Sequence, residues 1–252
     1  MAPYTGPCTI RDGSTVTITA KDVAAKCDAL QAYNGSFVIS NSKLTRVAAR
    51  WPGKVSVTNS DIFAGNQSAS SAAISYNLTY PKTGYNLVIK GTDISGGKDS
   101  VDCRGNCDIQ DSYLHGQRSY GGAHIQGFLS SGGNHMLLRH NSISCDPPTG
   151  QGSECTADVA LFGDLAQVND VIIDNNLMLG GPDPAYCLYG GYQPGKNYPV
   201  STNVVITNNV FQTGPYGKCG HYGPTTSINT NAPGTVYSGN TWTDRTPNAS
   251  RG

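Results

Sequence analysis

The sequence predicts an all-β solenoid, a stack of coils each built from short strands. Three observations carry that expectation. A phrase of alternating apolar residues recurs nine times along the 252 residues, the spacing between copies has a floor near twenty residues, and a small polar turn follows most copies.

The copies are Val16-Thr17-Ile18, Phe37-Val38-Ile39, Val55-Ser56-Val57, Leu87-Val88-Ile89, Cys107-Asp108-Ile109, Met136-Leu137-Leu138, Val171-Ile172-Ile173, Val204-Val205-Ile206 and Thr235-Val236-Tyr237. Their steps are 21, 18, 32, 20, 29, 35, 33 and 31 residues. A minimum near twenty suits one turn of a parallel β-helix, three short strands at about 3.3 Å per residue plus three bends. Longer steps carry extra segments, such as Ser68 to Tyr85 and Pro147 to Glu154. Helical repeats would show a 3.6-residue apolar period, and none is visible. β-Branched Val, Ile and Thr fill the alternating positions instead.

Each phrase is followed by a turn and a return strand, as in Asn41-Ser42-Lys43-Leu44, Asn59-Ser60-Asp61-Ile62, Asn175-Asn176-Leu177-Met178 and Asn208-Asn209-Val210-Phe211. Stacking sets equivalent side chains about 4.8 Å apart, so an Asn at the bend reaches the backbone of the next coil. Asn also tolerates the left-handed backbone of such a bend. Asn41, Asn59, Asn175 and Asn208 are therefore expected to be structural. Between Asp22 and Tyr33 the alanines allow a short capping helix. The steady spacing from Ile18 to Ile39 argues instead that Asp28 to Tyr33 is another strand.

Composition narrows the class. Residues 1–252 are expected to form one domain, since elongated all-β folds exceed the usual domain length. Net charge is zero and 13% of residues are charged, against nucleic acid or an acidic membrane as partner. No apolar run approaches the length of a transmembrane span, and Met1-Ala2-Pro3 leads straight into polar sequence, as expected of a chain trimmed to its mature domain. Eight cysteines point to an oxidising compartment and a secreted protein. Cys103 and Cys107 bracket a tight turn, and Cys145 and Cys155 bracket an insertion. Cys8 with Cys27, and Cys187 with Cys219, lie about one coil apart. Zinc competes for such cysteines, but no Cys-x-x-Cys or regular Cys/His array occurs, so disulfides are expected.

The third strand of each coil lies between phrases. Val101 to Cys103, His124 to Leu129, Asp158 to Phe162, Tyr186 to Tyr189 and Gly220 to Tyr222 mix His, Asp, Tyr and Gln with apolar residues. Insertions flank them at Ser119 to Ala123, Pro147 to Glu154, Pro182 to Ala185 and Gln193 to Val200. A polar strand face bordered by long loops is a groove for an extended ligand.

The coil phrases resemble the right-handed parallel β-helix proteins of the pectin-lyase-like superfamily. Tyr4-Thr5-Gly6-Pro7-Cys8-Thr9-Ile10, Asp111-Ser112-Tyr113-Leu114-His115-Gly116, Leu138-Arg139-His140-Asn141, Leu161-Phe162-Gly163-Asp164, Tyr189-Gly190-Gly191 and Lys218-Cys219-Gly220 resemble secreted actinobacterial β-helix proteins. The resemblance covers almost the whole chain and implies a right-handed helix of about nine coils. It makes polysaccharide lyases and glycoside hydrolases the leading class. No Arg-Ile-Lys, Asn-Thr-Asp or adjacent Asp-Asp signature carries over.

The catalytic candidates are His124, Asp158, Asp102, His221 and Asp164. Asp158 and Asp164 are six apart, an even spacing that predicts one face, with a bend at Gly163 to shorten their distance. Asp102, one or two coils earlier, would complete a carboxylate pair across coils for hydrolysis. His124 begins its strand after Gly-Gly, and His221 precedes Tyr222; either suits the base of a lyase, with Lys98, Arg104, Arg118, Arg139 or Lys218 neutralising a uronate. His115 and His140 stand at turn positions, and His140 is expected to continue a structural ladder. Substrate contacts are expected from Arg104, Arg118, Gln126, Tyr189, Lys218 and Tyr222. Tyr186, Tyr189, Tyr192, Tyr216, Tyr222, Trp51 and Trp242 offer faces for pyranose rings, with Trp242 read as an end cap. No cofactor motif occurs; calcium is compatible with lyase chemistry but indicated by no residue pattern. The expected activity is cleavage of a polysaccharide by a monomeric secreted enzyme, lyase slightly ahead of hydrolase, with a non-catalytic carbohydrate-binding or adhesion module as the competing class.

Overall fold

A computed structural model of the chain describes residues 1–65, 71–77, 84–118, 122–148, 154–244 and 246–247. These residues form three sheets whose strands all pair in parallel, of ten, nine and nine strands. The chain visits the sheets in fixed order, I to II to III, and each strand pairs with its counterparts in the preceding and following coils. This is a parallel β-helix. No helix of the described residues is long and apolar enough to cross a membrane.

The nine phrases are the nine strands of sheet III, from Thr15–Thr19 to Val236–Ser238. Their alternation has a direct cause, since every second residue points inward. Ile18, Ile39, Val57, Ile89, Ile109, Leu138, Ile173 and Ile206 stack in register as one buried column. The return strands form sheet I, which contributes Leu44, Ile62, Ile94, Leu114, Ile143, Met178 and Phe211. Sheet II closes the core with Ile74, Val101, Phe128, Val159 and Leu188. Trp242 packs edge-on against Phe211 in the last coil, 6.4 Å between centroids, and covers that end.

The bend from sheet III to sheet I divides its work between two neighbouring residues. The first adopts the left-handed backbone in every coil: Ala20, Asn41, Asn59, Gly91, Asp111, His140, Asn175, Asn208 and Gly239 all have φ between 46° and 66°. The next residue bonds between coils. Ser42, Ser60 and Ser112 accept the backbone N–H of the preceding coil, and Asn141, Asn176, Asn209 and Asn240 do the same at 2.9–3.0 Å while donating Nδ2 back to a carbonyl there. Asn41, Asn59, Asn175 and Asn208 thus set the turn, and their successors carry the ladder. His140 occupies the turn position.

Four disulfides join Cys8–Cys27, Cys103–Cys107, Cys145–Cys155 and Cys187–Cys219, the pairs the spacing suggested. The Asp28 to Tyr33 segment contributes a strand, shortened to Leu30–Ala32. Two expectations need correction. His115 is not in a turn: it ends the sheet I strand Tyr113–His115, stacked on Tyr113 and 2.9 Å from Asp93. Gly220 to Tyr222 precede their strand, which runs Gly223–Thr226. Parts of the Ser68–Tyr85, Ser119–Ala123 and Pro147–Glu154 insertions lie outside the described residues.

Candidate functional site

The outer face of sheet II carries a cleft of about 440 Å³ lined by Lys98, His124, Gln126, Leu129, Ser131, Thr156, Phe162, Asp164, Tyr189, Gln193 and Lys196. Five of the sequence candidates converge here: Lys98, His124, Gln126, Asp164 and Tyr189. His124 opens the strand His124–Ser130 with its side chain 72% exposed, 3.8 Å from the Glu154 carboxylate. Leu129, Ala157 and Ala160 form a small apolar floor outside the core, covered in part by Phe162 and Tyr189.

One wall comes from the Gln193 to Val200 insertion. It returns over the sheet because the Tyr198 N–H donates to the Gly163 carbonyl at 2.8 Å. A side chain at Gly163 would collide with the Tyr198 carbonyl, so only glycine admits the loop there. Lys196 then reaches Asp164 at 2.8 Å and lies 4.5 Å over the Phe162 ring. Gln193 Oε1 in this wall and Thr156 Oγ1 on the strand Glu154–Leu161 are buried without a hydrogen-bond partner among the described residues.

The opposite end holds two carboxyl groups on the strand Asp99–Cys103. Asp99 is 2% exposed; its carboxylate accepts the Gln126 N–H at 2.9 Å and contacts Lys98 Nζ at 3.0 Å. Burial pushes it up to about 7, against the pull of Lys98. Asp102 sits between core residues Val101 and Cys103, so it points outward, in register beside Leu129. Arg104 lies 3.6 Å from its Oδ2, and its Oδ1 is buried without a hydrogen bond. Burial again raises the carboxyl, opposed by Arg104 and Lys98.

Aromatic rings continue from the cleft across the last coils. Phe162 meets Tyr189 at 5.3 Å, Tyr189 meets Tyr186 at 5.3 Å, Tyr186 meets Tyr222 at 5.8 Å, Tyr222 meets His221 at 4.6 Å and His221 meets Tyr216 at 4.7 Å. Burial pushes Tyr189 up to about 12, and Tyr186 and Tyr222 add to the rise. Tyr222 is 65% exposed, and Tyr216 donates its hydroxyl to Asp183 at 2.8 Å.

The other candidates lie elsewhere. Asp158 does not share a face with Asp164. Its strand, Glu154–Leu161, ends before Asp164, and a register shift in the pairing with the previous strand accompanies the inward turn of the Asp158 side chain. There Asp158 is fully buried and accepts the N–H groups of Cys145 and Gly180, both at 2.8 Å, pinning the chain after two successive sheet I strands. It is a structural carboxyl, pushed up to about 7 by burial. Its proximity to Cys187 and Cys219 makes no metal site, because those sulfurs are joined to each other. Arg118 reaches the Phe63 ring at 5.6 Å on the sheet I side, away from the cleft. Lys218 is exposed beyond Tyr216, and His221 is 3.9 Å from Asp183 at the far end of the aromatic run.

Sequence reasoning missed Asp99, which fell outside a strand taken to begin at Val101, and missed Lys196 and Gln193 as wall residues. The insertion itself signalled a wall; its side chains did not signal their direction. No family model, no curated protein and no solved structure matches the chain.

Proposed function

We propose that the protein is a secreted carbohydrate-active enzyme of the pectin-lyase-like superfamily that holds a glycan along the outer face of sheet II and hydrolyses it. One observation carries the reading: a run of six rings is continuous with a cleft lined by Asp164 and flanked by Asp102, which stands in register beside the cleft residue Leu129. Rings suit pyranose C–H faces, and paired carboxyl groups suit glycosidic cleavage. Four disulfides are consistent with an extracellular protein.

In this reading Asp102 is the acid. Desolvation and an unbonded Oδ1 favour its protonated form. It gives that proton to the glycosidic oxygen as the C1–O bond breaks. Asp164, beside Lys196, takes a proton from the water whose oxygen bonds C1. Elimination is less well supported: it requires a cation for the uronate carboxylate, and Lys98 and Lys196 already contact Asp99 and Asp164.

Incubation with a panel of polysaccharides tests this, reading reducing ends together with ultraviolet absorbance of unsaturated uronic ends. Reducing ends alone are expected. Both signals rising would establish a lyase. Binding with neither signal favours the non-catalytic module, for which the ion pairing of the cleft carboxylates is the supporting observation.

A further inference from the structure

We propose that the glycan held in this groove is uncharged, not a polyuronate; the inference rests on the glycan reading above and specifies its substrate class. The argument is one of charge accounting. Among the described residues, each cation that lines or flanks the cleft has a carboxylate within reach: Lys98 with Asp99 at 3.0 Å, Lys196 with Asp164 at 2.8 Å and Arg104 with Asp102 at 3.6 Å. The two histidines on this face follow the same rule, His124 lying 3.8 Å from Glu154 and His221 3.9 Å from Asp183. Among the described residues, Lys218, at the exposed turn past the rings, is the remaining cation near the groove.

A polyuronate brings one carboxylate per sugar. Each must shed water and find a compensating charge. Here it would have to displace a carboxylate already in contact with each lysine or arginine, and it would approach those displaced groups as a like charge. An uncharged pyranose meets no such opposition. Its C–H faces stack on Tyr189, Tyr186 and Tyr222, and its hydroxyls supply both donors and acceptors. Ser131, Thr156 and Gln193 line the cleft and supply polar side chains of the kind that pair with hydroxyls. The groove therefore offers stacking and hydroxyl recognition without an uncommitted positive field.

Affinity electrophoresis of the intact, oxidised protein in gels containing glucomannan, arabinoxylan, hydroxyethylcellulose, polygalacturonate or alginate tests this, at about 20 mM and about 300 mM NaCl so that screening separates charge from stacking. Retardation by at least one neutral polymer is expected, changing less than about twofold with salt, with the polyuronates bound at least about tenfold more weakly. Asp164→Asn releases Lys196 from its partner and is expected to raise low-salt affinity for polygalacturonate by about threefold or more. Polyuronate binding as tight as that of the neutral polymers, weakening with salt, would overturn the uncharged assignment and leave the glycan reading standing. An unchanged Asp164→Asn variant would also overturn it, because charge pairing would then not be what excludes the polyanion. Binding to none of the polymers would instead remove the glycan reading itself.

Discussion

Replacing Asn176 by Ala isolates the inter-coil ladder. Asn176 is 1% exposed and its side chain makes five hydrogen bonds: Oδ1 accepts from the backbone and side-chain nitrogens of Asn141, and Nδ2 donates to Leu138 O, Asp174 O and Asn209 Oδ1. Three of the five partners keep another bond after truncation, since Asn141 Nδ2 still reaches Ile109 O, Asn209 Oδ1 still accepts from Asn176 N, and the Asp174 carbonyl still accepts the His140 N–H at 3.2 Å. The Asn141 N–H and the Leu138 carbonyl lose their side-chain partner inside the stack. The stranded Asn141 N–H costs about 1–3 kcal/mol, and the Leu138 carbonyl, in the Leu138–Ile173 ladder pair, loses a hydrogen bond worth about 0.5–1.5 kcal/mol, a total loss of about 1.5–4.5 kcal/mol. Asn175→Ala tests the other half of the bend. It only forces Ala into a left-handed backbone at φ 56°, a cost of about 1–2 kcal/mol. Asn176→Ser should fall between wild type and Ala, because Ser in the earlier coils accepts the N–H but bonds its own carbonyl two residues back. Urea unfolding followed by far-ultraviolet circular dichroism, with the disulfides intact, measures all three. A loss below about 1 kcal/mol for Asn176→Ala, or one smaller than that for Asn175→Ala, would refute the division of labour between the two positions.

The remaining predictions concern pH and the groove. Asp99 and Asp158 sit at about 7 in the folded chain against an ordinary 3.8, so their folded state prefers the proton; this contribution is complete below about pH 4 and is lost as pH rises through about 7. Asp102 and Asp146 shift the same way by burial. Calorimetry should therefore find a higher Tm near pH 5 than near pH 8, and Asp158→Asn should flatten that slope while costing about 1–3 kcal/mol for the lost acceptor of the Gly180 N–H; a Tm that rises over the same range would contradict the burial argument. Asp102→Asn should cut reducing-end release by about 10²–10⁴-fold while leaving glycan affinity within about threefold; full activity would exclude Asp102 as the acid. Tyr189→Ala and Tyr222→Ala should each weaken glycan binding about tenfold, with melting curves showing whether Tyr189, the more buried ring, also supports the fold; unchanged affinity in both would move the binding face elsewhere.

Much of the fold was legible because its signal is periodic. The inward column from Ile18 to Ile206 is the phrase itself, and sheet II could be found by subtraction. Legibility failed where one residue decides the outcome. Asn41 and Ser42 are both good turn residues, and composition alone does not say which bends and which bonds. Asp158 seemed to face the groove because even spacing assumes a strand unbroken as far as Asp164; the strand ends at Leu161, and Asp158 is held by the N–H groups of Cys145 and Gly180 instead. Asp99 was overlooked for the related reason that the strand starts two residues earlier than its apolar pattern does. Lys196 reaches Asp164 only through a loop whose return depends on Gly163, and no local pattern encodes that path.

The ladder also explains why the groove lies on sheet II. From the coil containing Ser36–Ser40 onward, the passage from sheet III to sheet I always advances three residues, as from Ser40 to Lys43, Gln110 to Tyr113 and Thr207 to Val210. A left-handed residue followed by a ladder residue leaves no room for insertion without breaking buried hydrogen bonds in two neighbouring coils. Length variation is therefore confined to the two edges of sheet II, where the chain enters from sheet I or leaves for sheet III. The segment from Gln193 to Val200 is such an exit, and it supplies Gln193 and Lys196 to the cleft. The residues that hold the coils together thus determine, by their intolerance of added length, the face on which walls can grow.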